Sequence, residues 1–351
     1  MEDLFLKLTR ILKAEASKNI TLKFLKLIYN LNLINYFAVK NYKKSSINLK
    51  SLSLRNRIGL AGGLDKNAEY FHIFSALGFG FVEVGTVTPN PQDGNPRPRV
   101  FRLNQDKAII NRLGFPNDGM DEIYNRLQNN PSTGVLGINV GPNKENSSKN
   151  DDYLKCLDKF YYNADYIAIN ISSPNTPGLR DLHDKEKISS LIDDLKNLRS
   201  KKDTQKPIIF KLSPNIEFSE IDPLSEIFLD KKIDGLILTN TSIDGKNELN
   251  DKNRNEKGGL SGSPIYRISN EIISRFYKNF KGSIPIIGVG GVSDSETAYE
   301  KIKCGANLVQ LYTSMIFKGP YVASNINEEI VDLLSKDGFS NISDAVGVNI
   351  K

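Results

Sequence analysis

Tyr166-Ile167-Ala168-Ile169-Asn170-Ile171-Ser172-Ser173-Pro174-Asn175-Thr176-Pro177-Gly178-Leu179-Arg180 is the stretch from which the architecture can be read. Its first four residues are an apolar run that predicts a buried strand. Two prolines and a glycine then forbid extension of that strand. A hydroxyl and two carboxamides (Ser173, Asn170 and Asn175) are thus fixed where a rigid strand gives way to a loop, the place where α/β enzymes put their chemistry. Alone, the run equally suits a Ser/Asn/Pro turn used only for its backbone geometry. The rest of the chain decides between the two.

Seven further apolar runs share its character: Ile58–Ala61, Phe81–Gly85, Gly134–Ile138, Ile208–Leu212, Gly235–Leu238, Ile284–Val289 and Leu308–Leu311. Continuous Ile/Val/Leu runs separated by helical segments mark parallel strands covered on both sides. Eight of them over roughly 250 residues predict an α/β fold of the (β/α)8 TIM-barrel type. A Rossmann sheet would need a GxGxxG opening its first unit, which is absent. Each run ends in polar, glycine or lysine residues. These are Gly62-Gly63-Leu64-Asp65-Lys66-Asn67, Thr86, Asn139, Asn170 with its loop, Lys211, Thr239-Asn240-Thr241, Gly290-Gly291 and Tyr312-Thr313. In a barrel those ends converge on one face, so the convergence predicts a site there.

The connection between the second and third runs, residues 89–133, is long enough to be functional. Within it Arg97-Pro98-Arg99-Val100-Phe101-Arg102-Leu103 reads as an extra hairpin strand, and Asn111-Arg112-Leu113-Gly114-Phe115-Pro116-Asn117 as a tight turn offering amides and an aromatic ring. Residues 244–258, rich in Asp, Lys, Asn and Glu, read as a solvated, mobile loop. Gly258-Gly259-Leu260-Ser261-Gly262 follows, where backbone can approach a ligand closely.

The amino terminus is a different kind of sequence. Leu4, Phe5, Leu8, Ile11 and Leu12, then Leu22, Leu25, Ile28, Tyr29 and Leu31–Leu33, recur at helical spacing with lysines and arginines between them. Neither run reaches the roughly 18 uninterrupted apolar residues of a spanning helix, and interrupting charges argue against a secretory signal. Two amphipathic helices fit, either capping the barrel or lying on a membrane surface. Residues 1–45 hold nine Lys/Arg against three Asp/Glu, a surplus equal to the whole chain's +6. The basicity is therefore local and suits an anionic membrane, and no nucleic-acid-binding motif accompanies it. The chain divides into residues 1–45 (helical extension), 46–336 (barrel) and 337–351 (tail). Cys156 and Cys304 lack a partner spacing, and His72 and His183 lack a ligand spacing, so neither a disulfide nor a metal site is expected.

Glycine turns after the last two strands are the usual phosphate site of a barrel. Gly288-Val289-Gly290-Gly291 and Tyr312-Thr313-Ser314 supply free N–H groups and hydroxyls for flavin mononucleotide or a sugar phosphate. Lys66 or Lys211 could be a Schiff-base nucleophile, or both could be fixed charges beside a carboxylate. Asn111, Asn139, Asn170, Asn175 and Asn240 suit a heterocycle with alternating C=O and N–H groups, such as a pyrimidine.

These motifs, from Ala61-Gly62-Gly63-Leu64-Asp65-Lys66 through Glu83-Val84-Gly85-Thr86, Asn111 to Phe115, Asn170 to Arg180, Thr239-Asn240-Thr241, Gly258 to Gly262, Gly288 to Gly291 and Phe317-Lys318-Gly319-Pro320, together resemble the dihydroorotate dehydrogenases, specifically the quinone-dependent class 2. The resemblance covers residues 50 to 330 or so. It implies that Ser173 is the base removing the C5 proton of dihydroorotate while the C6 hydride passes to the N5 atom of FMN, giving orotate in pyrimidine biosynthesis. A free serine is a poor base and needs an onward proton path, for which Thr176 is a neighbour in sequence. Class 1 enzymes use a cysteine there, so serine points to class 2.

By the same resemblance Lys66, Asn111, Arg112, Leu113, Gly114, Phe115, Asn170, Asn175, Asn240 and Thr241 would hold the substrate. Gly62, Gly63, Leu64, Asp65, Lys66, Thr86, Asn139, Asn170, Lys211, Thr239, Gly262, Gly290, Gly291, Tyr312 and Thr313 would surround FMN. The amino-terminal helices would form the tunnel by which a membrane quinone reaches the flavin, on a monomer bound peripherally to the cytoplasmic side of a bacterial inner membrane. Bacterial members often carry a histidine in this segment, whereas Glu15-Ala16-Ser17-Lys18-Asn19 has none. Three readings compete with this one: a dehydrogenase using a soluble acceptor or a related FMN barrel oxidoreductase, a lysine-dependent lyase or aldolase, and a basic membrane- or nucleic-acid-associating module.

Overall fold

The computed structural model describes residues 14–34, 46–132, 134–176, 179 and 184–350. The eight anticipated runs form eight parallel strands that close into a barrel, in the order β3 (Ile58–Leu60), β4 (Phe81–Val87), β7 (Val135–Val140), β8 (Tyr166–Asn170), β9 (Ile208–Leu212), β10 (Gly235–Leu238), β12 (Ile286–Val289) and β13 (Leu308–Leu311). β13 pairs back onto β3 through Val309–Leu311 against Ile58–Leu60. Almost every strand residue is buried, which is why these segments read as continuous apolar runs rather than alternating ones. Helices α2 (Phe71–Ala76), α3 (Met120–Asn129), α4 (Lys149–Phe160), α5 (Lys185–Ser200), α6 (Phe218–Asp230), α7 (Tyr266–Phe280), α8 (Ser295–Lys303), α9 (Thr313–Lys318) and α10 (Val322–Lys336) lie between or after the strands. Their apolar faces, such as Tyr153, Leu157 and Phe160 of α4, pack on the outward side chains of the strands.

The barrel interior is filled below and open above. Phe81 and Tyr166 meet edge-on, ring centroids 6.4 Å apart. They fit because Gly59 and Gly137 stand where any Cβ would collide with the Phe81 and Tyr166 rings. The hairpin of β1 (Ile47–Leu49) and β2 (Leu52–Leu54) adds Leu49, Leu52 and Leu54 to the same inner cluster, closing the lower end.

Over the other end lies a three-stranded antiparallel sheet, β5 (Val100–Leu103), β6 (Ala108–Asn111) and β11 (Gly259–Gly262). The hairpin strand was expected. The pairing of β11 with β6 was not, and it gives the glycines of 258–262 a structural reason, since a Cβ at Gly258 would strike the Asn111 carbonyl and one at Gly259 the Thr241 hydroxyl. Residues 244–258 are also better anchored than their composition suggests. Leu249 is buried against Leu103, Ile110 and Leu260, and Asp106 accepts the backbone N–H groups of Asn250 and Asp251. A buried leucine and an acceptor contributed from far away in sequence fix a loop that local polarity describes as free.

Helix α1 (Ala14–Asn30) packs through buried Ser17, Leu22 and Leu25. Of the two amino-terminal helical runs, the first, Leu4 to Leu12, lies outside the described residues. At the other terminus the tail is tied to the barrel: Gly347 N–H donates to the Ile302 carbonyl, Tyr277 OH to the Val346 carbonyl, and the Arg57 guanidinium to Ser343 Oγ and the Asn307 carbonyl.

Candidate active site

The carboxyl ends of the strands surround a cavity of about 940 Å³, a volume that takes in the open space at its mouth. Its floor is an amide network built on β4, β7, β8 and the β10 end. Thr86 Oγ1 donates to Asn139 Oδ1 (2.6 Å), and Asn170 Nδ2 is shared between Thr86 Oγ1 (3.1 Å) and Asn139 Oδ1 (3.2 Å). Asn240 Nδ2 bridges Asn170 Oδ1 (3.3 Å) and Ser172 Oγ (2.8 Å). Beneath it Glu83, fully buried, takes donors on both oxygens. Asn139 Nδ2 (2.8 Å) and Lys211 Nζ (3.5 Å) reach Oε1, and Gln310 Nε2 (2.9 Å) and Tyr166 OH (3.2 Å) reach Oε2. A buried carboxylate is tolerable only with such pairing.

Ser173 is buried on the loop after β8. The backbone N–H of Asn175 donates to its Oγ (3.3 Å), and Asn175 Nδ2 reaches across to the Asn111 carbonyl at the end of β6 (3.3 Å). Thr176 is buried close by in sequence. Tyr153 OH, from α4, donates to the Asn170 carbonyl (2.6 Å) and fixes the point where strand becomes loop.

Lys66 is half-buried on the cavity wall, but its ammonium sits where water is scarce. Desolvation, with repulsion from Lys18 and Arg99, brings it down to about 7. The turn that carries it is set by Asp65, whose carboxylate accepts the N–H groups of Glu69 (2.9 Å) and Tyr70 (2.8 Å); burial still raises that acid to about 6. On the facing side, Gly114 (φ 70) and Phe115 (φ 51) take left-handed backbone so that the Phe115 ring is buried at the cavity.

Most residues singled out from the sequence line this one cavity: Gly62, Gly63, Lys66, Thr86, Asn111, Leu113, Gly114, Phe115, Asn170, Ser173, Asn175, Lys211, Thr239, Asn240, Thr241, Gly262, Gly290, Gly291, Tyr312 and Thr313. Leu64, Asp65, Asn139 and Arg112 stand behind the wall. Leu64 is core, Asp65 and Asn139 orient their neighbours, and Arg112 pairs with Glu256 (2.7 Å) over the Phe101 ring. Sequence reasoning missed Glu83, Gln310 and Ser172. The first two had a visible signal, a charged or amide residue inside an apolar run, and Glu83 stood in the Glu83-Val84-Gly85-Thr86 motif without being given a role.

The cavity wall combines a bare-backbone turn with buried polar atoms. Gly290 (φ 121) and Gly291 (φ 73) form a turn where a Cβ on Gly291 would meet the main chain of Tyr266, so only bare backbone fits. Thr239 Oγ1 and Gln310 Oε1, at the cavity, are buried without a hydrogen-bond partner among the described residues; buried polar atoms of that kind call for one. On the amino-terminal helix, whose Glu15–Asn19 stretch has no histidine, Glu15 accepts from Arg99 (2.9 and 3.2 Å) and pairs with Arg97 (3.5 Å), and Lys18 reaches the Leu64 carbonyl (3.5 Å).

A family model described as dihydroorotate dehydrogenase matches residues 45–334. The chain belongs to the dihydroorotate dehydrogenase family. Proteins named dihydroorotate dehydrogenase (quinone) are similar over most of their length. That of Bartonella tribocorum is 44% identical over 306 residues, covering 86% of this chain and 85% of its own. That of Saccharophagus degradans is 43% identical over 325 residues, covering 91% and 96%. Among solved structures, the Eimeria tenella enzyme crystallised with ferulenol superposes with a TM-score of 0.87 at 35% identity, covering 93% of this chain and 94% of that one. With family membership, a lysine-dependent aldolase and a barrel without catalysis both drop out as readings of the site.

Proposed function

We propose that the chain is a quinone-dependent dihydroorotate dehydrogenase, oxidising (S)-dihydroorotate to orotate in pyrimidine biosynthesis with FMN as its cofactor. The observation that carries this reading is the shared cavity: Ser173, Lys66, Lys211, the carboxamides and the Gly290-Gly291 turn all open into one space. The two lone buried acceptors and the glycine turn fit a flavin nucleotide. Gly62, Gly63, Thr86, Lys211, Thr239, Gly262, Gly290, Gly291, Tyr312 and Thr313 would hold it. When bound, FMN would supply the two-electron acceptor for the C6 hydride and the link to the quinone.

The chain itself handles the proton and the orientation. Ser173 Oγ takes the C5 proton as its own hydroxyl proton passes onward, Thr176 being the neighbour in sequence for that path, and the Asn175 N–H aimed at that oxygen stabilises the alkoxide character it needs to act as a base. Serine at this place, rather than cysteine, favours the quinone-dependent class. Lys66 neutralises the substrate carboxylate, while Asn111, Asn170, Asn175, Asn240 and Thr241 match its ring amides, with Leu113, Gly114 and Phe115 closing over it. Tying Asn240 to Asn170 and Ser172 keeps those amides in one orientation, so little ordering remains to be done on binding.

Residues 1–45 serve as the quinone and membrane segment of a monomer lying on the cytoplasmic side of a bacterial inner membrane. Among the described residues no helix is long and apolar enough to cross a membrane, and α1 leaves Ile20, Phe24 and Leu27 exposed at helical spacing, with exposed Leu31 just beyond its end. A turnover assay on dihydroorotate with quinone, fumarate and nicotinamide nucleotide compared as acceptors tests reaction and class together. Preference for fumarate or nicotinamide would overturn the quinone assignment.

A further inference from the structure

Lys301 is a buried cation that the chemistry above does not use. It stands on α8 with no exposed surface, and among the described residues no carboxylate pairs with it. Its ammonium donates to Ser269 Oγ (3.0 Å) and Asn270 Oδ1 (2.6 Å) and lies 5.4 Å from the centre of the Tyr266 ring. All three partners are neutral and come from α7. An uncompensated buried ammonium is costly, and burial accordingly lowers this one to about 7.

What the group faces explains why the cost is tolerated. The Lys301 stem crosses Gly288 so closely that a Cβ there would come within 2.7 Å of it. Ser269, which receives the ammonium, donates in turn to the Val289 carbonyl (2.7 Å), and its own Cβ and Oγ abut Gly290. Lysine, serine and strand end thus form one relay running into the Gly290-Gly291 turn from behind.

We propose that Lys301 is a positioning residue for the cofactor phosphate: it supplies buried positive charge behind the glycine turn and fixes that turn through Ser269 and the Val289 carbonyl. The inference rests on the FMN reading of the cavity. The phosphate is the counter-charge the ammonium otherwise lacks, and the ammonium makes the turn a better anion site than its N–H groups alone.

The test compares binding of FMN and riboflavin, which differ by the phosphate, to cofactor-stripped full-length protein by flavin fluorescence. Lys301→Met keeps the stem and removes the charge. It should raise the FMN Kd about tenfold or more, as loss of a charge-assisted interaction does, while leaving the riboflavin Kd within about threefold. Equal losses for both ligands, or none, overturn the proposal and leave Lys301 as a link between α7 and α8. If Lys301→Met does not fold, Ser269→Ala decides: a selective FMN loss of about threefold or more supports the relay, and an unchanged FMN-to-riboflavin ratio removes it. A wild-type protein that binds no FMN, or binds riboflavin equally well, overturns the FMN or phosphate reading itself and this proposal with it. Phosphate-selective wild-type binding retained in the variants overturns the proposal alone.

Discussion

Lys211 and Glu83 form an ion pair inside the barrel, Nζ to Oε1 3.5 Å, with the carboxylate fully buried. The two come from strands β9 and β4, separated around the barrel by β7 and β8, so the pair spans its interior. Glu83 also gathers Asn139, Tyr166 and Gln310, and Asn139 in turn carries Asn170 and Thr86. The orientation of the amides that line the cavity therefore depends on one acid below them.

Glu83→Gln should cost about 3 kcal/mol of stability, because it leaves a buried ammonium unpaired and turns an amide N–H₂ toward existing donors. Urea unfolding of the cofactor-free proteins measures it. A loss below about 1 kcal/mol would mean that the pair matters little to the fold.

Ser173→Ala should bind flavin as the parent does yet reduce it with dihydroorotate at least about a hundredfold more slowly, the usual scale for losing a positioned base. Stopped-flow absorbance resolves this half-reaction. An unaltered rate would take Ser173 out of proton transfer.

Lys66, brought down to about 7 by burial, gives substrate affinity a pH dependence of definite sign. The ammonium form binds the carboxylate, so affinity should be full below pH 7. Above it, affinity should weaken by about tenfold per unit until the bound-state value is reached. Titrating orotate against the flavin spectrum from pH 5.5 to 9 follows it, and Lys66→Met should bind weakly with a flat profile. A wild-type affinity unaffected by pH above 7 would count against the contact.

Leu27 on α1 and Leu31 just beyond its end, 56% and 57% exposed, should account for much of any membrane affinity. The double change to glutamate is expected to weaken partition onto anionic vesicles by tenfold or more, since each side chain contributes about 1.5–3 kcal/mol when buried. Flavin reduction by dihydroorotate should not alter. Cosedimentation that is indifferent to the substitutions would make α1 a cap and not a membrane contact.

The barrel was legible because its strands are buried on both faces, so every one of the eight appears as an apolar run ending in a polar or glycine residue. The loop after β8 was legible for the same reason: its prolines stop a strand whose start is unmistakable. What local sequence could not show is anything settled across the fold. Glu83 acquires meaning only when Lys211 and Gln310 arrive from strands far along the chain. Leu249 turns an acidic, asparagine-rich segment into an anchored one, and the glycines of β11 answer to Asn111 and Thr241. Arg112, read with its neighbours as a substrate contact, instead reaches Glu256, a partner that no spacing reveals.

The sheet of β5, β6 and β11 joins two territories that would otherwise be separate. Arg99, just before β5, grips Glu15 of α1, while Asn111, at the end of the adjoining β6, meets Asn175 on the Ser173 loop. It works as a crossbar, with the amino-terminal helix tied to one end and the loop that carries Ser173 to the other. A graft that replaces the helix should therefore be judged at both ends of the bar.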